Sequence, residues 1–137
     1  MAENETQIYK LLRPQALPDE LSWRVEGPFD SSYSLALVNR EIARALDRAG
    51  HQVALHSTEG PGDFTPDSAF LERHPDLQTM HSRATTLTQD KVSVTSRFTY
   101  PPRVSDMSCQ LNTLHAYGWE ESGFPSDWAQ AFNDSLT

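Results

Sequence analysis

The chain has one cysteine, Cys109, among 137 residues, and few basic side chains: Lys and Arg total 11 against 19 Asp and Glu, a formal charge of −8. A single cysteine excludes an internal disulfide and any zinc or iron–sulfur site built from several thiolates, and it fits a reducing cytoplasm. Basic residues form no block, so the positive face that phosphate-backbone recognition needs is missing, which argues against a nucleic-acid binder. No stretch approaches the roughly 20 apolar residues of a membrane-spanning helix. Residues 1–10 lack the charged start and apolar run of a secretory signal. The expectation is a soluble, cytoplasmic chain.

Two nucleotide-binding fingerprints are also missing. There is no G-x-G-x-x-G spacing, and no Gly-Lys-Ser/Thr closes a phosphate loop, which argues against NAD binding and nucleoside-triphosphate hydrolysis. His51, His56, His74 and His81 share no metal-ligand spacing with a carboxylate or with Cys109, so neither a metal nor a cofactor is expected. The sequence holds no internal repeat or low-complexity tract. With 37% hydrophobic side chains it has the material for one modest core, in a chain the size of one ordinary domain.

What is present reads as strands alternating with helices. Residues 1–20 are polar apart from Ile8, Leu11 and Leu12, and Pro14 and Pro18 block a long helix, so a tail or short strap is predicted. From residue 21 to 137 the pattern predicts one α/β domain. Trp23 and Val25 alternate with polar residues in a first strand that Gly27-Pro28 ends. Over residues 30–50, Leu35, Val38, Ile42, Leu46 and Ala49 recur at helical steps, with Asp30, Ser31 and Ser32 as side-chain caps and Gly50 as a left-handed stop. Residues 52–56 then read as a second strand, parallel to the first. A short helix is predicted over 67–73, strands over 91–98 and 109–115, and a closing helix in which Trp128, Ala131 and Phe132 share a face. The fold class is α/β, a Rossmann-like three-layer sandwich with a mostly parallel sheet.

In such sheets ligands bind outside the carboxyl ends of the strands, where a helix start aims free amides outward. Gly27, Pro28, Asp30, Ser31 and Ser32 occupy that place: the glycine allows close approach and the serines offer hydroxyls to a phosphate or sugar. The same residues also suit a merely well-capped helix.

The run Val25-Glu26-Gly27-Pro28-Phe29-Asp30-Ser31-Ser32-Tyr33-Ser34-Leu35, followed by Gly50-His51-Gln52-Val53, resembles the opening of group 1 (family 4) glycosyltransferases. Ser96-Arg97-Phe98-Thr99-Tyr100-Pro101-Pro102-Arg103 and the stretch from Leu114-His115-Ala116-Tyr117-Gly118-Trp119 to Phe124-Pro125 look like a bacterial subgroup of the same enzymes. The resemblance implies a partial amino-terminal domain of the GT-B fold, with acceptor recognition on this domain and the nucleotide-sugar site mainly on a missing carboxyl-terminal domain. It implies transfer of a sugar from a nucleotide-sugar donor to an acceptor, with retention of anomeric configuration and no tightly bound metal. The fragment alone is expected to be inactive. A non-catalytic Rossmann-like ligand-binding or interaction module is the rival reading, and an enzyme of a phosphorylated small molecule a second.

The resemblance places His115 at the carboxyl end of a strand, near acceptor and transferred sugar, as the candidate catalytic residue; Tyr117 falls equally well on that position, and a lone histidine ending a strand is more often a satisfied structural residue. Gly27, Pro28, Asp30, Ser31, Ser32, Tyr117 and Glu120 are the candidate substrate-binding residues. Asp30 either bonds an acceptor hydroxyl or caps the helix. Arg97 and Arg103 either read an anionic acceptor or pair at the surface, and surface pairing is favoured. Arg40, Arg44 and Arg48 are read as a solvated helix face. Trp119, Phe124 and Trp128 are read as packing, with an aromatic platform for a sugar ring as the alternative.

Overall fold

The computed structural model describes residues 20–115 and 123–137. Strands β1 (Ser22–Glu26), β2 (Gln52–His56), β3 (Val94–Arg97) and β4 (Leu111–Leu114) form one sheet in the order β2-β1-β3-β4, with every neighbouring pair parallel. Helices α1 (Ser34–Arg48), α2 (Ser68–Arg73), α3 (Pro75–Ser82) and α4 (Ser126–Ser135) accompany it. The chain is thus a small α/β fold. Strand order reverses between β1 and β3, which leaves a crevice position at their carboxyl ends. All but the last residue of the predicted tail lies outside the described residues.

Alternation in β1 sends Val25 to one face, where it meets Val53 and Leu55 of β2 in a core completed by Phe29, Ala43, Phe70, Leu77 and Met80. Helix α1 covers this face with a stripe rotated from the predicted one. Ala36, Asn39 and Ala43 are buried and Ile42 and Leu46 partly so, whereas Val38 and Ala49 are exposed. Small side chains let the helix lie close to the sheet, and Asn39 is drawn inward by two backbone carbonyls described below. The stop is as predicted: Gly50 has φ 91°, its N–H donates to Asp47 O at 3.0 Å, and that of His51 donates to Leu46 O at 3.1 Å. The start is not as predicted. Helix α1 begins at Ser34 after Tyr33, with no side-chain cap, so Asp30, Ser31 and Ser32 do not cap it.

β2 is an edge strand. Its outward carbonyls at Val53 and Leu55 pair with Arg83 Nη1 at 3.1 Å and His81 Nδ1 at 2.9 Å, which shields the edge from pairing with another chain. These groups follow or close α3, which no clear periodicity announced. Asp67 caps α2 by accepting from the Phe70 N–H at 2.6 Å.

The opposite face of the sheet is polar where a parallel sheet is ordinarily apolar. Arg24, Glu26 and Arg97 are buried, at 7%, 1% and 1% exposure. Arg24 Nε and Arg97 Nε each donate to Glu26 at 2.7 Å, Gln89 Nε2 donates to the same carboxylate at 3.2 Å, and Arg97 also grips Asp106 at 2.7 Å and the Arg103 carbonyl at 2.6 Å. Arg24 Nη1 donates to the carbonyls of Ala84 and Leu87. The second layer is therefore built from the 3-10 turns Arg83–Thr85 and Gln89–Lys91 and from residues 103–109, held by ion pairs rather than by a packed helix. Surface pairing of Arg97 is thereby corrected: its side chain is inside.

Candidate functional site

The predicted site residues that the structure describes lie along the carboxyl edge of the sheet. Gly27 follows β1 and its N–H donates to His56 O at 3.0 Å, so its amide is used within the sheet. Its φ is 155°, and a Cβ added there would overlap both Asn39 Nδ2 and the carbonyl oxygen of Phe98. Asn39 Nδ2 donates to Pro28 O at 3.0 Å and to Phe98 O at 2.9 Å. One side chain of α1 thereby ties the turn after β1 to the segment after β3, across the place where strand order reverses. Fold geometry accounts for the glycine, and close approach of a ligand is not needed to explain it.

The rest of the turn is held from below. Arg40 Nη1 donates to the carbonyls of Phe29 at 3.1 Å and Ser31 at 2.6 Å, and its guanidinium sits 5.5 Å from the centre of the Phe70 ring. Arg40 is half-buried and structural, so the solvated-stripe reading fails for it. It holds for Arg48, which is exposed, and Arg44 pairs with Glu41 and Asp76 at 2.7 Å each. Ser31 Oγ is buried with no hydrogen-bond partner, while Ser32 is exposed. Asp30 accepts from the Asp67 N–H at 2.8 Å and so ties the turn to the start of α2.

Carboxylates set the electrostatics of this turn. Tyr33 donates to Glu59, and its phenol is pushed well above the ordinary range by burial first and then by the Glu59 hydrogen bond, with Glu59 and Asp30 charges adding to it. Two carboxylates beside the start of α1 offset the partial positive charge of its free amides.

His115 follows β4, one strand beyond β3, so about 10 Å of sheet separates its strand from β1. Its N–H donates to Arg97 O at 2.9 Å, and its ring packs on Phe98 with centroids 5.8 Å apart. Phe98 thus stands between the Gly27 turn and His115. Burial pushes the imidazole below its ordinary value near 6.5, keeping it neutral at neutral pH. The sign for stability follows. Above about pH 6.5 both folded and unfolded forms are neutral; as pH falls further the unfolded chain takes the proton first, so folding is weakened down to the folded pKa. His115→Gln is expected to flatten this part of the stability–pH curve, and equal slopes in urea titrations of the two proteins between neutral and mildly acidic pH would refute it.

Tyr117 and Glu120 lie outside the described residues. Sequence reasoning missed a polar cluster beside Gly27: His56 Nε2 pairs with Asp63 at 2.9 Å, and Arg103 Nη2 donates to Thr58 at 2.9 Å and lies 3.9 Å from Asp63. No spacing rule links residues 56, 63 and 103; the end of β2, the loop that follows it and the segment after β3 meet at one edge. Arg103 is half-buried in these contacts rather than free to read an anion. At the opposite end of the sheet, Leu21, Trp23, Val94 and Leu111 line an open apolar depression of about 670 Å³. Among the described residues no His, Cys, Asp and Glu are grouped to hold a metal ion, and no helix is long and apolar enough to cross a membrane.

Fold and edge together define a parallel-sheet α/β protein with a polar, partly acidic turn at its strand-order reversal. Set against known proteins, the chain matches no family model, no curated protein and no solved structure.

Proposed function

We propose that this chain is the acceptor side of a glycosyltransferase that moves a sugar from a nucleotide-sugar donor to an acceptor. It would be a partial, Rossmann-like amino-terminal domain of the GT-B fold, inactive without a carboxyl-terminal donor domain. The observation that carries the reading is the gathering of the Gly27–Ser32 turn, Phe98 and His115 on one carboxyl edge, at the reversal of strand order. Ligands of parallel α/β sheets bind there. The resemblance in sequence supplies the reaction class.

Charge supports the division of labour. Asp30 and Glu59 oppose a diphosphate at the first turn, so the cations that hold the donor's phosphates belong to the other domain. On this side the work is to hold an acceptor hydroxyl toward the donor's anomeric carbon, largely by positioning. A neutral imidazole at His115 accepts a hydrogen bond from such a hydroxyl without adding charge. No cofactor or metal enters this reading, and the partners are the donor, the acceptor and the second domain.

The test is to assay the protein that carries this chain and a donor domain against a panel of nucleotide sugars, reading nucleoside diphosphate release and glycoside formed. His115→Ala is expected to lower transfer by about a hundredfold or more while the protein still folds. Absence of transfer from every donor, or selective binding of NAD by the chain, would overturn the reading.

A further inference from the structure

Register sets Val53, Trp23, Val94 and Leu111 side by side across β2, β1, β3 and β4, and paired residues of neighbouring strands send their side chains to one face of a sheet. This is the face that α1 covers, yet the cover is one-sided: the strand residues of the core cluster come from β1 and β2, none from β3 or β4. Past Val53 the row runs into the open depression of about 670 Å³, where Trp23, Val94 and Leu111 are joined by Leu21. Leu111 is 38% exposed. The other three lining residues are polar, and no lining side chain carries a charge.

Parallel sheets are ordinarily covered on both faces. Among the described residues no helix residue lines this depression, which is walled by strand residues and their flanks alone. Its occupant must be apolar and small. A second copy of the chain fits poorly, because the seven lining residues fall short of the roughly 20–30 a side that stable association uses.

The chain itself supplies a better occupant. Residues 1–19 join the described structure at Glu20, beside Leu21, whose N–H donates to His51 Nδ1 at 3.2 Å and whose carbonyl accepts from the Gln52 N–H at 3.0 Å. That segment therefore enters the sheet at the wall of the depression. It carries Ile8, Leu11 and Leu12 at three- and four-residue steps. The eight residues 13–20 lie between them and Leu21 and reach at most roughly 26 Å, against about 10 Å across three strands. Tethering so short keeps the apolar side chains at an effective concentration on the order of millimolar, so even weak docking is populated.

We propose that residues 8–12 dock into this depression, with Ile8, Leu11 and Leu12 against Trp23, Val94 and Leu111, as a strap over the amino ends of β1, β3 and β4. The depression lies at the opposite end of the strands from Gly27 and His115, so the proposal stands apart from the acceptor-side reading.

The experiment uses the full chain. Nuclear Overhauser contacts are expected between the Ile8, Leu11 and Leu12 methyl groups and the Trp23 ring, at intensities independent of protein concentration. Trypsin cleaves after Lys10, whereas the Arg13-Pro14 bond resists it. Docking protects the Lys10 site, so Leu111→Asn, which leaves the cleaved sequence untouched, is expected to speed that cut about tenfold, equivalent to ~1.4 kcal/mol. Ile8→Ser is expected to do the same from the other partner, and it carries the test if circular dichroism shows Leu111→Asn to be unfolded. Absence of the methyl–Trp23 contacts, or equal cleavage of the parent and the folded variants, would overturn the strap. So would contacts seen only between chains in a mixed-label sample, which would assign the depression to a second copy.

Discussion

Gly27→Ala is expected to destabilise the chain by roughly 3 kcal/mol, combining overlap in a packed site with the cost of a left-handed backbone. For a domain of this size that lowers Tm by about 10 °C. The methyl group would meet Asn39 Nδ2 and the Phe98 carbonyl, neither of which is a flexible side-chain end free to retreat: the amide is held at 3.0 Å by Pro28 O and at 2.9 Å by Phe98 O, and the carbonyl belongs to the backbone. Thermal denaturation followed by circular dichroism measures the effect. A melting temperature within about 2 °C of the parent would mean that the turn gives way easily. Asn39→Ala leaves two buried carbonyls without their donor and is expected to cost ~2 kcal/mol by itself. Gly27→Ala and Asn39→Ala together should cost less than the sum, because one of the colliding groups is then gone. Loss of activity in any Gly27 variant is accordingly a report on folding before it is a report on ligand binding.

Much of the strand and helix order was legible in the sequence, because it depends on short-range signals. Trp23 and Val25 alternate, Gly50 supplies the positive φ that ends α1, and Asp67 offers its oxygen three residues before the Phe70 amide it caps. The rotation of α1 was not legible. Leu35 and Val38 outrank alanine and asparagine on any hydrophobicity count, yet the helix turns Ala36, Asn39 and Ala43 inward. Close approach to the sheet and two carbonyl partners for Asn39 outweigh the larger side chains, and neither is visible without the tertiary contact. Asp30 failed as a cap for a similar reason, since its oxygen satisfies the Asp67 N–H thirty-seven positions away. At the site, the edge position of Gly27 and His115 could be inferred from strand ends, but the His56–Asp63–Arg103 cluster could not. Its members come from the end of β2, the loop after it and the segment after β3, and charged residues at such spacing ordinarily belong to solvated surface.

Glu26→Gln is expected to be the more damaging of the charge substitutions, at about 3–5 kcal/mol, because it leaves the guanidinium groups of Arg24 and Arg97 buried without their shared carboxylate. Both now donate to Glu26 at 2.7 Å, and Glu26 is 1% exposed. The Coulombic attraction does not make the network a net source of stability, since desolvating three charges opposes it. Removing Arg24, Glu26 and Arg97 together in favour of Met, Leu and Met is therefore expected to restore part of the loss, short of the parent because the carbonyls of Ala84, Leu87 and Arg103 then lose their donors. Urea unfolding of the single, paired and triple variants measures this directly, and a Glu26→Gln variant within about 1 kcal/mol of the parent would show that water reaches the network. Asp106 adds a pH signature. Burial works to raise its pKa, but hydrogen bonds and charge from Arg97, with Arg103 helping, outweigh this and hold it below the ordinary carboxylate range. Its stabilising effect is thus complete above the unfolded value near 4 and lost as pH falls through the lower folded value. Arg97→Met should shrink that acid limb as well as release residues 103–106, since Arg97 holds both the Arg103 carbonyl and the Asp106 carboxylate. Those residues adjoin Tyr100 and Phe98, so the buried ion network on one face of the sheet fixes the loop that shapes the proposed acceptor edge.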